Sequence, residues 1–213
     1  MANMIIRPAA DGNLLIQDRA GSAVLSTAAS GATAANLTLA STTTFPAGHI
    51  IQTVVAHKTD TTDINGSTAT GWFDVGGLSA SITPTSGNKI LVHIQMVVGT
   101  TVQQQGILVK VLRSIGGAGY TEIDYRGNAQ DTRSRVIAGF EESGQHQHDI
   151  QYQLWPINAQ FLDSPSTASA TIYKVQFMVQ YAAYAFVNRT GNDGNNANIP
   201  RGASSITLQE IAQ

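Results

Sequence analysis

Alternation of apolar and polar residues, not a 3.6-residue period, dominates this chain. From Lys89 to Val98 the residues Ile90, Val92, Ile94, Met96 and Val98 fall on one face, and Leu91, His93, Gln95 and Val97 on the other. Residues two apart share a face only in a strand. Gly106–Arg113 repeats the pattern with Ile107, Val109 and Val111 against Leu108, Lys110 and Leu112. Thr171–Tyr181 repeats it again, with Tyr173, Val175, Phe177, Val179 and Tyr181 alternating with Lys174, Gln176 and Gln180. The same reading predicts strands over Ile50–His57, Gly71–Val75, Ser79–Thr83, Tyr120–Tyr125, Arg133–Phe140, His146–Trp155, Ala159–Asp163, Ala183–Asn188 and Ser205–Ala212. Glycine-bearing turns such as Thr83–Lys89 and Ser114–Tyr120 separate them. No helical segment is long enough for a βαβ crossover. About a dozen short strands and tight turns make an all-β, antiparallel jelly-roll sandwich.

The polar face of Thr171–Tyr181 poses a question. It carries amides and almost no charge. It is either ordinary wet surface or the place where another copy of the chain docks.

The texture changes near residue 50. Residues 1–49 are thin: apolar pairs and triplets such as Leu14-Leu15-Ile16 and Val24-Leu25 are spaced by Gly, Ser, Ala and Thr, and Ser26–Ala35 holds no large side chain. Such a segment buries too little to order itself. The bland alternative is a disordered leader; the expectation is an extended N-terminal arm, 1–49, whose short strands fold against sister chains or a docking surface, and a head domain, 50–213.

Composition sharpens this picture. Only 12% of the 213 residues are charged, against about 25% in an average domain. A surface so poor in charge is kept soluble by hydroxyls and amides or is covered by partners. The formal net charge is −2, with no basic stripe for phosphates, so nucleic acid is not an expected partner. The absence of cysteine removes disulfides, thiolate metal sites and cysteine nucleophiles. The opening residues do not read as a secretory signal, since the apolar run Met4–Ile6 is broken by Arg7 and Pro8. No apolar run reaches the roughly 18 residues of a membrane helix.

Candidate chemistry is sparse. His146 and His148 sit two apart, so in a strand both imidazoles would point one way, as a weak metal site. The loop Asn188–Gly202 contains Asn192, Asp193, Asn195 and Asn196. It superficially resembles a calcium loop, but one carboxylate is too few; a flexible amide-rich tip is the better reading. Trp155, before Pro156, either stacks on a sugar ring or caps the end of the sandwich. Asp60/Asp63, Glu122/Asp124 and Glu141/Glu142 are the close carboxylate pairs, the minimum for glycoside hydrolysis, and read better as surface charges. No nucleophile elbow, phosphate loop or zinc-protease motif is present. The reading is therefore not an enzyme, with no cofactor. Acceptor patterns for N-glycans at Asn36, Asn65 and Asn188 read as chance in a Thr-rich chain.

The blocks "GLSASITPTSGNKILVHIQMVVG", "FLDSPSTASATIYKVQFMV" and "FVNRTGNDGNNANIPRGASSITLQEIA" resemble the C-terminal domain of tail-fibre-like virion proteins of bacteriophages, particularly of marine bacteria. The thin opening segment is similar to their N-terminal arm. The likeness covers most of the chain and weakens between about Thr100 and Gly144. It implies a homotrimer with jelly-roll heads, assembled in the host cytoplasm and carried on the virion. It implies an arm docked on other virion proteins of tail or capsid, and heads that meet a host surface glycan or protein. Two roles follow: a tail fibre or receptor-binding adhesin, and a capsid decoration protein that clamps the shell. A particle-borne glycan hydrolase stands third.

Overall fold

The computed structural model describes residues 15–17, 20, 23–28, 31–34, 44–65, 71–101, 106–141, 150–179 and 184–213. They fall into two units, 1–44 and 45–213. In the first, β1 (Leu15–Gln17), β2 (Ala23–Ala28) and β3 (Gly31–Ala34) form an antiparallel sheet in that order. The β2–β3 ladder pairs Ser26 with Thr33 and Thr27 with Ala32, so it rests on backbone hydrogen bonds between small residues.

The second unit is a sandwich of two antiparallel sheets. Its strands are β4 (Ile50–Lys58), β5 (Thr62–Asn65), β6 (Phe73–Ile82), β7 (Lys89–Thr100), β8 (Gly106–Ile115), β9 (Thr121–Glu122), β10 (Ala138–Glu141), β11 (Trp155–Asp163), β12 (Thr171–Val179), β13 (Tyr184–Val187) and β14 (Ser204–Ile211). One sheet runs β10-β8-β12-β6, with β9 beside β8. In the other, β7 carries β11 along one edge, and β14 and then β13 along the opposite edge. The strand pair β4 and β5 flanks β14 and β13 in turn. The chain passes from one sheet to the other at β5–β6, β6–β7, β7–β8, β10–β11, β11–β12 and β12–β13. A 3₁₀ turn, Ile150–Tyr152, is the one helical element among the described residues.

The alternating faces lie where the sequence places them. Ile90, Val92, Ile94, Met96 and Val98 of β7 are fully buried, as are Tyr173, Val175 and Phe177 of β12, and Ile206 and Leu208 of β14. Ile107, Val109 and Val111 complete the opposite wall. Each fully buried side chain of this size contributes roughly 1.5–3 kcal/mol.

Four expectations need correction. Gly71–Val75 and Ser79–Thr83 are one strand, β6, with a bulge: opposite β12 the register jumps from Ser79 to Asp74, and Gly77 adopts φ +84° there. Tyr120–Tyr125 shrinks to Thr121–Glu122, and Arg133–Phe140 to Ala138–Glu141, because this edge of β8 offers only those short registers. Trp155 and Pro156 belong to β11, not to a strand ending at Trp155. Proline is tolerated because, among the described residues, β11 pairs on one side alone. Of His146–Trp155, residues 146–149 lie outside the described residues.

Glu210 of β14 is buried, with 1% of its surface exposed. It ties the β6–β7 turn to the last strand. Gln52 donates to its Oε2 at 2.6 Å, and the Thr85 amide and Asn88 Nδ2 donate to Oε1 at 2.7 and 2.6 Å. Burial by itself would raise this carboxyl, but the donations from Gln52, Asn88 and Thr85 outweigh it and hold the carboxyl below its usual range. A depressed folded-state pKa adds stability that is complete above the unfolded value, near 4.3, and drains as pH falls through the folded value. Glu210→Gln, which turns an amide donor toward these donors, is expected to cost about 1–3 kcal/mol at neutral pH. Urea midpoints of wild type and variant should draw together only as pH falls below the ordinary carboxyl value and through the depressed folded one. Equal midpoints at pH 7 would show that the carboxylate does not anchor the turn.

Candidate functional site

The polar face of β12 is clothed by its own chain. Lys174 Nζ donates to Asp74 at 2.8 Å and lies 4.0 Å over the Tyr120 ring, and Gln176 donates to the other Asp74 oxygen at 2.7 Å. Beside them Lys110 is buried, 4.3 Å above the Trp72 ring and 2.6 Å from Glu122. This face is charged and internally paired. Its paired charges are supplied by Asp74, on β6, and by Glu122, on β9, which sequence distance from β12 conceals.

The uncharged face lies on the other sheet. Outward positions of β4, β14, β7 and β11 align in three rows through the strand registers. One row is His57, Ser205, Gln95 and Asn158. The next is Val55, Thr207, His93 and Gln160. The third is Thr53, Gln209, Leu91 and Leu162. None is Asp, Glu, Lys or Arg. Val55 and Leu162 are 57% and 37% exposed, so the face mixes amides, hydroxyls and bare apolar side chains. With strands about 4.8 Å apart and rows about 6.6 Å apart, it covers roughly 400 Å².

At one end of this sheet the strands break, and Asn188 holds the break together. It is fully buried, with φ +65°. Its Nδ2 donates to the Lys58 and Asp60 carbonyls at 2.8 and 2.9 Å, and its Oδ1 accepts from Ser204 at 2.6 Å. Its amide donates to Val97 O, and its carbonyl accepts from the Gly202 amide. One residue thereby joins the β4–β5 break, β7, and both ends of the β13–β14 loop. The loop also crosses the end of β7 closely. A Cβ at Gly99 would meet Arg189 O at 2.5 Å, and one at Gly191 would meet Thr100 O at 2.3 Å, so only glycine admits this approach.

Beside the knot lies a cleft of about 380 Å³ lined by Asp63, Thr101, Tyr184, Phe186 and Arg189. Arg189 donates to both Asp63 oxygens at 2.8 Å and covers the Phe186 ring at 3.6 Å. The Arg189 hydrogen bond is the largest influence on Asp63 and holds its carboxyl below the usual range. Tyr184 stacks on Phe186, with ring centroids 6.3 Å apart and planes 5° from parallel, and is 45% exposed.

The residues singled out in the sequence are distributed differently. Trp155 starts β11 opposite Val98 and packs, partly buried, on the core. Asn192, Asp193, Asn195 and Asn196 lie on the Asn188–Gly202 loop, which carries hydrogen bonds within itself. Asp193 accepts from Arg201 at 3.0 and 2.5 Å. Asn192 Oδ1 accepts from the Gly194 amide and the Asn192 amide donates to Gln151 O, while Asn196 Oδ1 accepts from the Asn198 amide. Asn195 is exposed. The Asp193 carboxylate is occupied by a guanidinium, which argues against the calcium likeness. His146 and His148 lie outside the described residues. The described candidate carboxylates are paired: Asp60 with Lys58, Asp63 with Arg189, Glu122 with Lys110 and Arg126, and Asp124 with Arg135. Hydrogen bonds from Lys58, Arg189 and Lys110 lead in lowering the carboxyls of Asp60, Asp63 and Glu122, opposite to what a general acid needs. Asn188 is no glycan acceptor in this fold, since its amide is buried and doubly engaged. Sequence reading passed over Tyr184, Phe186, Arg189 and Asp63 as a group; the "YAFVNR" run was the available signal, but Asp63 joins only through the β5–β13 ladder.

No protein-family model matches the chain, and no curated protein sequence does. Among solved structures, a chain of infectious bursal disease virus strain Gt is 10% identical over 84% of this chain and 43% of its own length, with a TM-score of 0.37. The VP2 protein of the same virus is similar in derived T=1 particles (13% identity, 85% and 43% covered, TM-score 0.34) and in a subviral particle (13%, 76% and 38%, 0.34). The chain thus spans less than half the length of each, and at these TM-scores the likeness decides neither fold nor function.

Proposed function

We propose that this chain is a structural subunit of a virus particle, a bacteriophage tail fibre or receptor-binding adhesin that acts as a homotrimer. The uncharged outward face of β4, β14, β7 and β11 carries this reading. Copies of one surface bring like charges together wherever that surface is charged; amides and hydroxyls can instead bond to their own symmetry mates. At roughly 400 Å² it supplies about half of what one partner contributes to a standard interface of about 800 Å² per side, so it forms the centre of a contact whose rim lies on neighbouring elements. Adhesion then rests on several weak heads acting together, because each engaged head raises the effective concentration of the next. Catalysis has no part in this role. The thin sheet β1–β3, whose β2–β3 ladder pairs mostly small residues, favours a second reading, a decoration protein whose arm lies flat along the shell.

Thr207→Lys places a charge in the middle row. The expected result is a fall in the association constant of at least about tenfold, equal to 1.4 kcal/mol, with an unchanged β-sheet circular dichroism spectrum. Sedimentation of the wild type should give three times the chain mass of 22.5 kDa. A wild type that sediments as a monomer at micromolar concentration would sink the self-assembly reading. Immunogold labelling of the intact particle separates tail from shell.

A further inference from the structure

The cleft beside β13 has the chemistry of a small-ligand site, and we infer that it binds a neutral saccharide, one or two rings long. This deepens the adhesin reading and takes its biological sense from it. Three observations select the ligand class. First, the cleft offers a stacking surface. Phe186 is buried beneath the Arg189 guanidinium, whereas Tyr184 is 45% exposed. The negative face of an aromatic ring attracts the polarised C–H groups on the flat side of a pyranose.

Second, the polar groups are present but their charge is cancelled. Asp63 and Arg189 are joined by two hydrogen bonds of 2.8 Å. A free anion would have to displace the carboxylate from its guanidinium, and a free cation the reverse. A carboxylate has about four acceptor positions, of which the guanidinium takes two. The remaining ones, together with the Thr101 hydroxyl, suit adjacent sugar hydroxyls that both donate and accept. A purely apolar ligand would leave these groups desolvated without partners, which is costly.

Third, the site is held in place. Arg189 also donates to the Thr190 and Gly191 carbonyls at 3.0 and 3.4 Å. Asn188 fixes the chain immediately before it, and Gly99 and Gly191 fix its approach to β7. At about 380 Å³ the cleft lies at the small end of the roughly 300–1,000 Å³ typical of ligand pockets. That limits the ligand to a ring or two.

The test is ligand-observed NMR with the full chain. Glucose, galactose, mannose, N-acetylglucosamine and their β-linked disaccharides are the probes, with glucuronic acid and glucosamine as charged controls. Expected is saturation transfer to at least one neutral probe with a Kd on the order of 1 mM, and weaker transfer to the controls. Tyr184→Ala should weaken binding at least tenfold, Tyr184→Phe should retain it, and Asp63→Asn should weaken it while leaving the ring stack. Sedimentation of the same samples reports assembly separately, so trimers that bind no sugar overturn this inference and leave the adhesin reading standing. No transfer from any neutral probe, stronger binding of a charged control, or binding unchanged in Tyr184→Ala each overturns it.

Discussion

Asp163→Ala is expected to lower the stability of the sandwich by about 3 kcal/mol, near the low end of the ~3–5 kcal/mol that follows when one partner of a buried charge pair is removed. Asp163 sits at the end of β11 and is 3% exposed. It crosses between the sheets: Arg113 Nη1 of β8 donates to its two oxygens at 2.8 and 2.6 Å, and the Tyr173 hydroxyl of β12 donates to Oδ2 at 2.7 Å. Removing the carboxylate leaves a guanidinium and a buried hydroxyl without their acceptor. The guanidinium side chain keeps 23% of its surface exposed, and water reaching it places the cost at the low end. Burial, followed by the bond to Asp163, pushes the Tyr173 hydroxyl far above its usual range, so it stays protonated and can only lose a partner. Urea unfolding followed by tryptophan fluorescence measures the change. In thermal terms it corresponds to roughly 6–12 °C for a domain of this size. Tyr173→Phe, which removes one donor and leaves the ion pair, should cost only about 1 kcal/mol. Similar losses in the two variants would mean that the triad does not hold the sheets together.

Asn188→Ala is expected to cost about 4 kcal/mol. The substitution abandons the Lys58 and Asp60 carbonyls and the Ser204 hydroxyl at once, and each buried polar group left without a partner costs ~1–3 kcal/mol. It also forces a β-carbon without a local polar group into φ +65°, a conformation asparagine tolerates better than alanine. Two further variants separate the causes. Asn188→Gly relieves the backbone and should recover about 1 kcal/mol of the loss. Asn188→Asp keeps shape and backbone but turns an acceptor toward two carbonyls, and should be at least as damaging as alanine. If Asn188→Asp were neutral, the hydrogen-bond assignment around this residue would be wrong. The loss should also reach the cleft, because Arg189 follows directly in the chain.

In the sequence Asn188 belongs to a glycan pattern and opens a loop, and Asp163 ends an alternating strand. Neither position announces a buried polar hub, since a hub is made by partners 50, 130 and 16 residues away in the chain. The polar face of β12 misled for the same reason: its lysine and amides find Asp74, about 100 residues earlier. The Tyr120–Tyr125 and Arg133–Phe140 readings failed because alternation records local burial, whereas strand length depends on whether a neighbour's edge is free to pair.

The sequence by itself determined the all-β class and the identity of the core. A period of two sorts side chains onto opposite faces within a single strand, so Ile90 to Val98 and Tyr173 to Phe177 could be assigned inward without knowing what they meet. It also determined that the surface is poor in charge. Tertiary structure alone decided which face is bare of charge, which loop is tied down and which residues share the cleft. Those properties belong to pairs of strands, and registers such as Val55–Thr207–His93–Gln160 or Asp63–Phe186 exist only once long-range ladders have closed and distant segments have been brought within hydrogen-bonding distance.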